Sequence, residues 1–117
     1  MTILKVPKTL LDRAVSLADV GIEELAWQPD DAREILELIK GTTVAILGGD
    51  IYSKRFGRFE PTYENWHVNR DPQEAPGAFA ARALDISQSY LEKLKRRGAE
   101  ELWVVFVFSE PLEPSDV

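Results

Sequence analysis

The run LWVVFVF, from Leu102 to Phe108, restricts the fold of this 117-residue chain more than any other feature. Side chains along a β-strand point alternately to the two faces of a sheet, so a strand that is apolar at every position needs cover on both faces. We therefore predict an interior strand at residues 102–108. The apolar, β-branched run TTVAILG at residues 42–48 predicts a second internal strand.

Three segments have the spacing of amphipathic helices. The first, residues 7–19, is predicted to end near Gly21 and places six apolar residues at helical intervals: Leu10, Leu11, Ala14, Val15, Leu17 and Ala18. The second, residues 29–41, begins with two candidate caps, Asp30 and Asp31, and ends at Gly41. The third follows a loop at residues 69–77 and is predicted to direct six residues inward: Phe79, Ala83, Ile86, Tyr90, Leu91 and Leu94.

Residues 51–68 alternate weakly between polar and apolar side chains, and Gly57 and Pro61 interrupt the pattern. We interpret them as a hairpin with residues 53–58 at its tip and an irregular second arm. The order helix, helix, strand, hairpin, helix, strand lacks strict βαβ alternation. It predicts an α+β fold in which a mainly antiparallel sheet packs with about three helices, in a single domain spanning residues 1–117.

The composition excludes several classes of function. The chain has no cysteine, so a thiolate zinc site and a cysteine nucleophile are impossible, and His67 is its one histidine. We expect no metal and no cofactor. No apolar run approaches the roughly 18 residues of a membrane helix, and the amino-terminal residues lack the pattern of a signal peptide. We therefore expect a cytoplasmic protein without a membrane partner.

The formal net charge is −6, and residues 20–41 and 99–117 carry most of the negative excess. Nucleic acid is a disfavoured partner, because phosphate binding needs a basic face and the basic cluster at residues 93–97 merely ends the third predicted helix. An acidic surface suits a basic partner protein. The same charge also keeps a protein soluble, so the sequence leaves both interpretations open.

Gly48 and Gly49, followed by Asp50, resemble a phosphate-binding loop, because glycines let backbone amides approach an anion. Such a loop requires a helix amino terminus and a Lys-Ser or Lys-Thr pair after the glycines, whereas DIYSKRFG follows here. We therefore predict a bulge or a sharp bend at the two glycines.

Four polar residues in and beside the hairpin are candidates for chemistry: Asp50, Glu60, Glu64 and His67. Three carboxylates that converge can act as acid and base or hold a divalent ion, and the histidine can act as a base. Their spacing does not establish convergence, and solvated surface positions are the commoner state of such residues.

Five aromatic residues lie between positions 52 and 66: Tyr52, Phe56, Phe59, Tyr63 and Trp66. Aromatic side chains beside acids and arginines are typical of the hot spots in protein interfaces. Core packing is the competing interpretation, and we expect at least two of these rings to be buried.

Two motifs, VAILGGDIY at residues 44–52 and EPTYENW at residues 60–66, resemble the immunity protein 40 family of bacterial polymorphic-toxin systems. The segment GIEELAW and the second predicted helix also lie where that family has them, so the likeness covers most of residues 20–110. The resemblance implies a non-catalytic protein that neutralises a toxin domain of the same cell or its kin by direct binding. The motif positions are Gly48, Gly49, Asp50, Tyr52, Pro61, Tyr63, Asn65 and Trp66.

The leading hypothesis is therefore a cytoplasmic, non-enzymatic immunity protein whose partner is a cognate toxin, such as a basic nuclease domain. We expect six residues to contact the toxin: Asp50, Tyr52, Glu60, Tyr63, Glu64 and Trp66. One alternative is a small enzyme or ligand-binding protein that uses Asp50, Glu60, Glu64 and His67. Another is a homo-oligomer in which the aromatic cluster faces a second copy.

Overall fold

The computed structural model describes residues 4–18, 24–95 and 101–115. Within these ranges the chain forms three helices and two sheets. The elements in chain order are β1 (Leu4–Pro7), α1 (Lys8–Leu11), β2 (Val15–Ser16), β3 (Leu25–Trp27), α2 (Pro29–Ile39), β4 (Ile46–Arg55), β5 (Arg58–His67), α3 (Pro76–Lys95), β6 (Leu102–Phe108) and β7 (Leu112–Ser115). The predicted α+β class, with a mainly antiparallel sheet and three helices, is confirmed.

The larger sheet has the strand order β2, β3, β6, β4, β5, and every neighbouring pair is antiparallel. β6 lies in the middle, where residues 102–106 are all buried, so the prediction from its two apolar faces is confirmed. The strand predicted at residues 42–48 is also internal. It begins at Ile46 and continues without a break to Arg55, so it is itself the first arm of the hairpin.

Two apolar clusters cover the two faces of the larger sheet. On one face, called the helix face, α2 and α3 pack over side chains that include Ile51, Trp66 and Phe106. The opposite face, called the open face, carries a smaller buried cluster of Leu17, Ala26, Tyr52, Trp103 and Val105. Because alternate residues of β6 enter the two clusters, this strand joins both halves of the core.

The first predicted helix is wrong beyond its first turn. α1 ends at Leu11, and the chain then enters β2. Leu10 packs in the helix-face cluster, whereas Leu17 packs in the open-face cluster. A continuous helix would hold these two leucines on one side, so the chain must leave the helix to place them on opposite faces of the sheet. Asp19 and Gly21 lie outside the described residues.

β1 and β7 form a small parallel sheet that the sequence pattern did not indicate. Their pairing runs from Leu4 opposite Leu112 to Pro7 opposite Ser115. Each strand has only four residues, which is too short for a clear alternation of polar and apolar side chains. The pairing brings the segment after β6 back to the beginning of the described chain.

α2 lies close to its predicted bounds but begins differently. Its N-cap side chain makes no capping hydrogen bond. The two predicted caps form ion pairs instead, Asp31 with Arg13 and Asp30 with Arg33. The prediction for Gly41 is confirmed, since its φ of +81° is the left-handed conformation that follows many helices.

α3 directs most of its predicted residues into the core. Phe79, Ala83, Leu91 and Leu94 are buried, and Tyr90 is half-buried. The prediction for Ile86 is wrong, since 38% of its surface is exposed and the neighbouring Ser87 is fully buried instead. Neither α3 nor any other helix in the described ranges is long and apolar enough to cross a membrane.

The two adjacent glycines lie inside β4 and beside a bulge, which confirms that prediction over a phosphate loop. Pairing with β6 shifts by one residue between Ile46 and Gly48, and the strand leads into β5 rather than into a helix. The missing side chain at Gly49 is a packing requirement. A Cβ at Gly49 would lie 2.6 Å from a backbone carbonyl oxygen of β6 and would overlap the indole ring of Trp66.

Gly49→Ala is expected to lower the free energy of unfolding by about 2–3 kcal/mol, because neither the β6 backbone nor the packed indole can move aside freely. Gly77→Ala is the matched control, since a Cβ on Gly77 meets no atom within 4 Å. Its effect should stay within about 0.5 kcal/mol. Urea denaturation measures both variants, and equal stability would contradict the packing role of Gly49.

Candidate functional site

The candidate site is the β4–β5 hairpin, which carries all six residues predicted to contact a partner. β5 is an edge strand of the larger sheet, and of its residues only Trp66 is buried. An edge strand presents side chains and backbone groups that a second chain can contact. β4 therefore supplies the support of this site, and β5 supplies its accessible surface.

β5 bulges where its pairing with β4 is interrupted. Residues 62–64 lie opposite Ile51 alone. The Thr62 hydroxyl donates a 3.0 Å hydrogen bond to the Ile51 carbonyl oxygen and accepts a 3.2 Å hydrogen bond from the Glu64 backbone N–H. This hydroxyl takes the place of a backbone partner and stabilises the bulge. The irregular second arm predicted around Pro61 is thus confirmed.

Tyr63 lies in the middle of the bulge, and its ring is displayed to solvent, with 86% of its surface exposed. Its φ of +67° is in the left-handed region, which costs an L-residue with a β-carbon about 1–2 kcal/mol. The Asn65 side-chain amide donates a 3.3 Å hydrogen bond to the Tyr63 carbonyl oxygen and so contributes to this conformation. The exposed ring is therefore available to a second molecule.

Two of the six predicted contact residues, Tyr52 and Trp66, lie inside the hairpin, and each is 8% exposed. The Trp66 ring stacks on Tyr90 with 4.6 Å between centroids and meets Phe106 edge-on at 6.1 Å. Its indole N–H donates a 3.0 Å hydrogen bond to the buried Ser87 hydroxyl on α3. These contacts show that Trp66 has a structural role. That Tyr52 and Trp66 contact a partner stays a prediction.

The four residues of the alternative enzymatic site do not surround one pocket. Asp50 lies on the open face, whereas Glu60 pairs with Ser53 on the helix face. His67 is exposed and Glu64 is half-exposed. The two carboxylates at positions 50 and 60 therefore point to opposite sides of the sheet. Within the described residues, no group of three or more His, Asp or Glu side chains could hold a metal ion.

Asp50 belongs to a patch of negative charge on the open face. Burial raises the pKa of the Tyr52 hydroxyl, and the charges of Asp50 and Glu24 raise that pKa further. Burial also raises the pKa of the Glu24 carboxyl, with the charge of Asp50 as the second cause. The charges of Asp50 and Glu24 therefore both act on the Tyr52 hydroxyl. The sequence did not indicate Glu24 as part of this patch, because Glu24 lies far from the hairpin in the chain.

The hairpin turn carries a second exposed ring. Phe56 is 97% exposed, and its φ of +52° is again left-handed. Phe59, in contrast, packs edge-on against Trp103 with 5.3 Å between ring centroids. The sequence predicted Phe56 at the tip of the hairpin, but nothing in it indicates a phenylalanine with left-handed backbone.

A second surface feature is the acidic groove between α2 and α3, with a volume of about 620 Å³. Its lining includes five carboxylates and one arginine: Asp30, Glu34, Glu37, Asp85, Glu92 and Arg33. The sequence indicated the negative charge of residues 20–41 but not the contribution of α3. Only the packing of the two helices brings these carboxylates to one groove.

Comparison with known proteins gives one match. The model of a protein family described as immunity protein 40 matches residues 16–108. The matched region contains both sequence motifs, the whole hairpin, α2, α3 and β6. Neither the curated proteins nor the solved structures contain a significant match.

Asp50→Asn is expected to lower the pKa of the Tyr52 hydroxyl, because it removes a negative charge that disfavours tyrosinate. That pKa should remain above the usual tyrosine value, since burial is the larger cause. An NMR titration of protein with labelled tyrosine rings measures it. Glu60→Gln is the control, because it removes a carboxylate from the opposite face. An unchanged Tyr52 pKa in Asp50→Asn would show that the two groups do not interact.

Proposed function

The chain belongs to the immunity protein 40 family, and we propose that it neutralises a cognate bacterial toxin in the cytoplasm by direct binding, without catalysis of its own. The hairpin is the proposed contact surface. Asp50, Glu60, Tyr63 and Glu64 would contact the toxin from the surface of the hairpin, and Tyr52 and Trp66 would support them from below. A binding inhibitor needs a firm surface with a few aromatic and charged contacts, and it needs no substrate pocket.

The observation that carries this proposal is the exposure of Tyr63. Tyrosine is among the residues most enriched at interface hot spots, since its ring offers a large contact area and its hydroxyl a polar contact. The bulge holds the residue in a conformation that opposes folding, and the ring buries almost no surface within the chain. Contact with a toxin would account for both the unfavourable backbone and the exposed ring, because the toxin would bury the ring.

The flanking carboxylates define how a toxin would approach. Asp50 lies on the open face and Glu60 on the helix face, so they flank β5 from two sides. The bulge interrupts the regular edge of β5, which disfavours the addition of a further strand. The proposed contact is therefore made by side chains against the edge of the sheet, with Tyr63 at its centre.

Charge supports a basic toxin as the partner. The chain has a net charge of −6, and the acidic groove concentrates five carboxylates beside one arginine. Such a field accelerates the encounter with a basic protein and repels nucleic acid. A basic nuclease domain fits this description.

The enzymatic and homo-oligomeric alternatives lead to different observations. An enzyme would require Asp50, Glu60, Glu64 and His67 to act on one substrate, and the opposite orientation of Asp50 and Glu60 argues against it. A homo-oligomer would hide Tyr63 against a second copy. Sedimentation that shows a monomer across a wide range of concentration would exclude the oligomer.

The decisive experiment uses the protein as bait in a lysate of its source bacterium and expresses each captured protein in cells with and without this chain. A toxin that kills the cells alone, and is tolerated when the chain is co-expressed, supports the proposal. Turnover of a small molecule by the purified monomer, lost in Asp50→Asn or Glu64→Gln, would overturn it.

Tyr63→Ala is expected to weaken binding of that toxin by about 2 kcal/mol or more, the usual loss at an aromatic hot spot. Isothermal titration calorimetry measures the change. Ile86→Ala is the matched control, since Ile86 is an exposed apolar residue on α3, outside the hairpin. Equal losses for the two variants, or none for Tyr63→Ala, would remove Tyr63 from the interface.

Glu37→Lys is expected to slow association with a basic toxin severalfold at low ionic strength, because it reverses a charge in the acidic groove. The difference should fade in high salt, where charges are screened beyond a few ångströms. Stopped-flow kinetics measures the rates. Glu110→Lys makes the same change of charge outside the groove. If both variants slow association equally, net charge rather than the groove guides the encounter.

A further inference from the structure

The hairpin turn has a backbone geometry that its sequence does not favour. Arg55 and Arg58 pair across the end of the hairpin, and both residues between them have positive φ, +52° at Phe56 and +77° at Gly57. Positive φ at both central positions is typical of the type I′ turn, whose first central residue is normally Asn, Asp or Gly. Phenylalanine at this position bears the steric cost of left-handed backbone.

The Phe56 ring gains almost nothing from packing in return for this cost. It is 97% exposed, whereas the half-buried Phe59 in the same hairpin packs edge-on against Trp103 at 5.3 Å. An apolar ring in water and a strained backbone both oppose folding. The stability of the isolated chain therefore does not explain why a phenylalanine occupies this position.

The charge around Phe56 differs in sign from that of the whole protein. Residues 51–59 contain three basic residues and no acidic one, in a chain with a net charge of −6. Arg55 and Arg58, which flank the turn, are both exposed. The Lys54 ammonium lies 5.5 Å from the centroid of the Phe59 ring, and so close to the base of the turn. The tip of the hairpin thus carries one apolar ring and three basic side chains next to it. We call these three residues, Lys54, Arg55 and Arg58, the cationic collar.

We infer that Phe56 is an anchor that inserts into an apolar pocket of the toxin and that carboxylates line the rim of this pocket. The inference rests on the proposed function and adds to it a second contact, separate from Tyr63. An apolar pocket gives the ring the burial that the chain itself does not provide. Carboxylates at the rim complement Arg55 and Arg58. A two-residue turn is short and rigid, so binding costs little conformational entropy.

A lipid surface and a second copy of the chain are the competing occupants. Anionic lipid would attract the collar but repel the carboxylates Asp50, Glu60 and Glu64 of the same hairpin, and a single ring is a weak membrane anchor. A second copy would have to offer an apolar pocket with an acidic rim. Within the described residues the acidic groove comes nearest to this description, but the net charge of −6 on each copy opposes self-association.

The central test is Phe56→Asn, measured with the full chain and the toxin identified by capture and rescue. Asparagine adopts left-handed backbone readily, so the urea midpoint should stay equal or rise. Toxin binding should weaken at least about tenfold. Loss of a residue with a structural role alone would lower the midpoint, so weaker binding without loss of stability identifies an anchor, and a lower midpoint with unchanged binding overturns it.

The collar is tested with the double variant Arg55→Gln, Arg58→Gln. Its affinity for the toxin should fall, and the fall should be larger at low ionic strength, because the lost contacts are with carboxylates. Unchanged or tighter binding of the double variant would overturn the proposal that carboxylates line the rim of the pocket.

The possible failures are distinguishable. If the wild-type chain neither binds nor neutralises any captured toxin, the proposed function fails. If the wild type binds and Phe56→Asn binds within about twofold of it, only the anchor is overturned. Binding of the wild type to vesicles of phosphatidylcholine and phosphatidylglycerol, lost in Phe56→Asn, would overturn the anchor in favour of lipid. A wild-type dimer that Phe56→Asn dissociates would overturn it in favour of a second copy.

Discussion

The contact between the Trp66 ring and the bare backbone of Gly49 is the constraint on which the rest of the structure depends. A glycine in the middle of β4 allows an indole from the neighbouring strand to lie across the sheet surface, where any side chain would overlap it. The same indole donates a hydrogen bond to Ser87 and stacks on Tyr90, so it docks α3 on the sheet. One residue of β5 therefore fixes both the strand pairing and the position of the helix above it.

This constraint accounts for the irregularity of the hairpin. Trp66 must lie opposite Gly49, whereas the register of the turn, if it continued along β5, would place Glu64 there. The turn at the other end sets its own register, in which Arg58 pairs with Arg55. The bulge at residues 62–64 takes up the difference between the two registers. Tyr63 lies in this bulge, between two well-paired segments of the hairpin. Its exposure therefore follows from the packing of the core and does not depend on a mobile loop.

Sequence patterns predicted the parts of the fold in which each residue acts locally. Two-sided apolar runs identified β4 and β6, helical spacing identified α2 and α3, and the two motifs indicated the family. Prediction failed where contacts between distant parts of the chain decide the conformation. Leu17 leaves the expected helix to pack on the open face, and β1 and β7 form because two segments far apart in the chain pair with each other. Of the site, the hairpin was predictable. The burial of at least two of the five rings was predicted, and Tyr52 and Trp66 confirm it, although the sequence did not indicate which two. The left-handed backbone of Phe56 and Tyr63 was not predictable, because residue preferences argue against it.

The distribution of charge limits how a partner can be oriented. The acidic groove, the acidic residues beside Tyr63 and the cationic tip lie on one small protein, so a partner of uniform charge would be attracted at one of these sites and repelled at another. Only a partner with a basic surface and a local acidic site satisfies all of them at once. Charges act over roughly 8–10 Å in physiological salt, whereas rings act on contact. In the proposed complex, charge would therefore select the orientation of approach, and the burial of the two rings would determine the lifetime of the bound state.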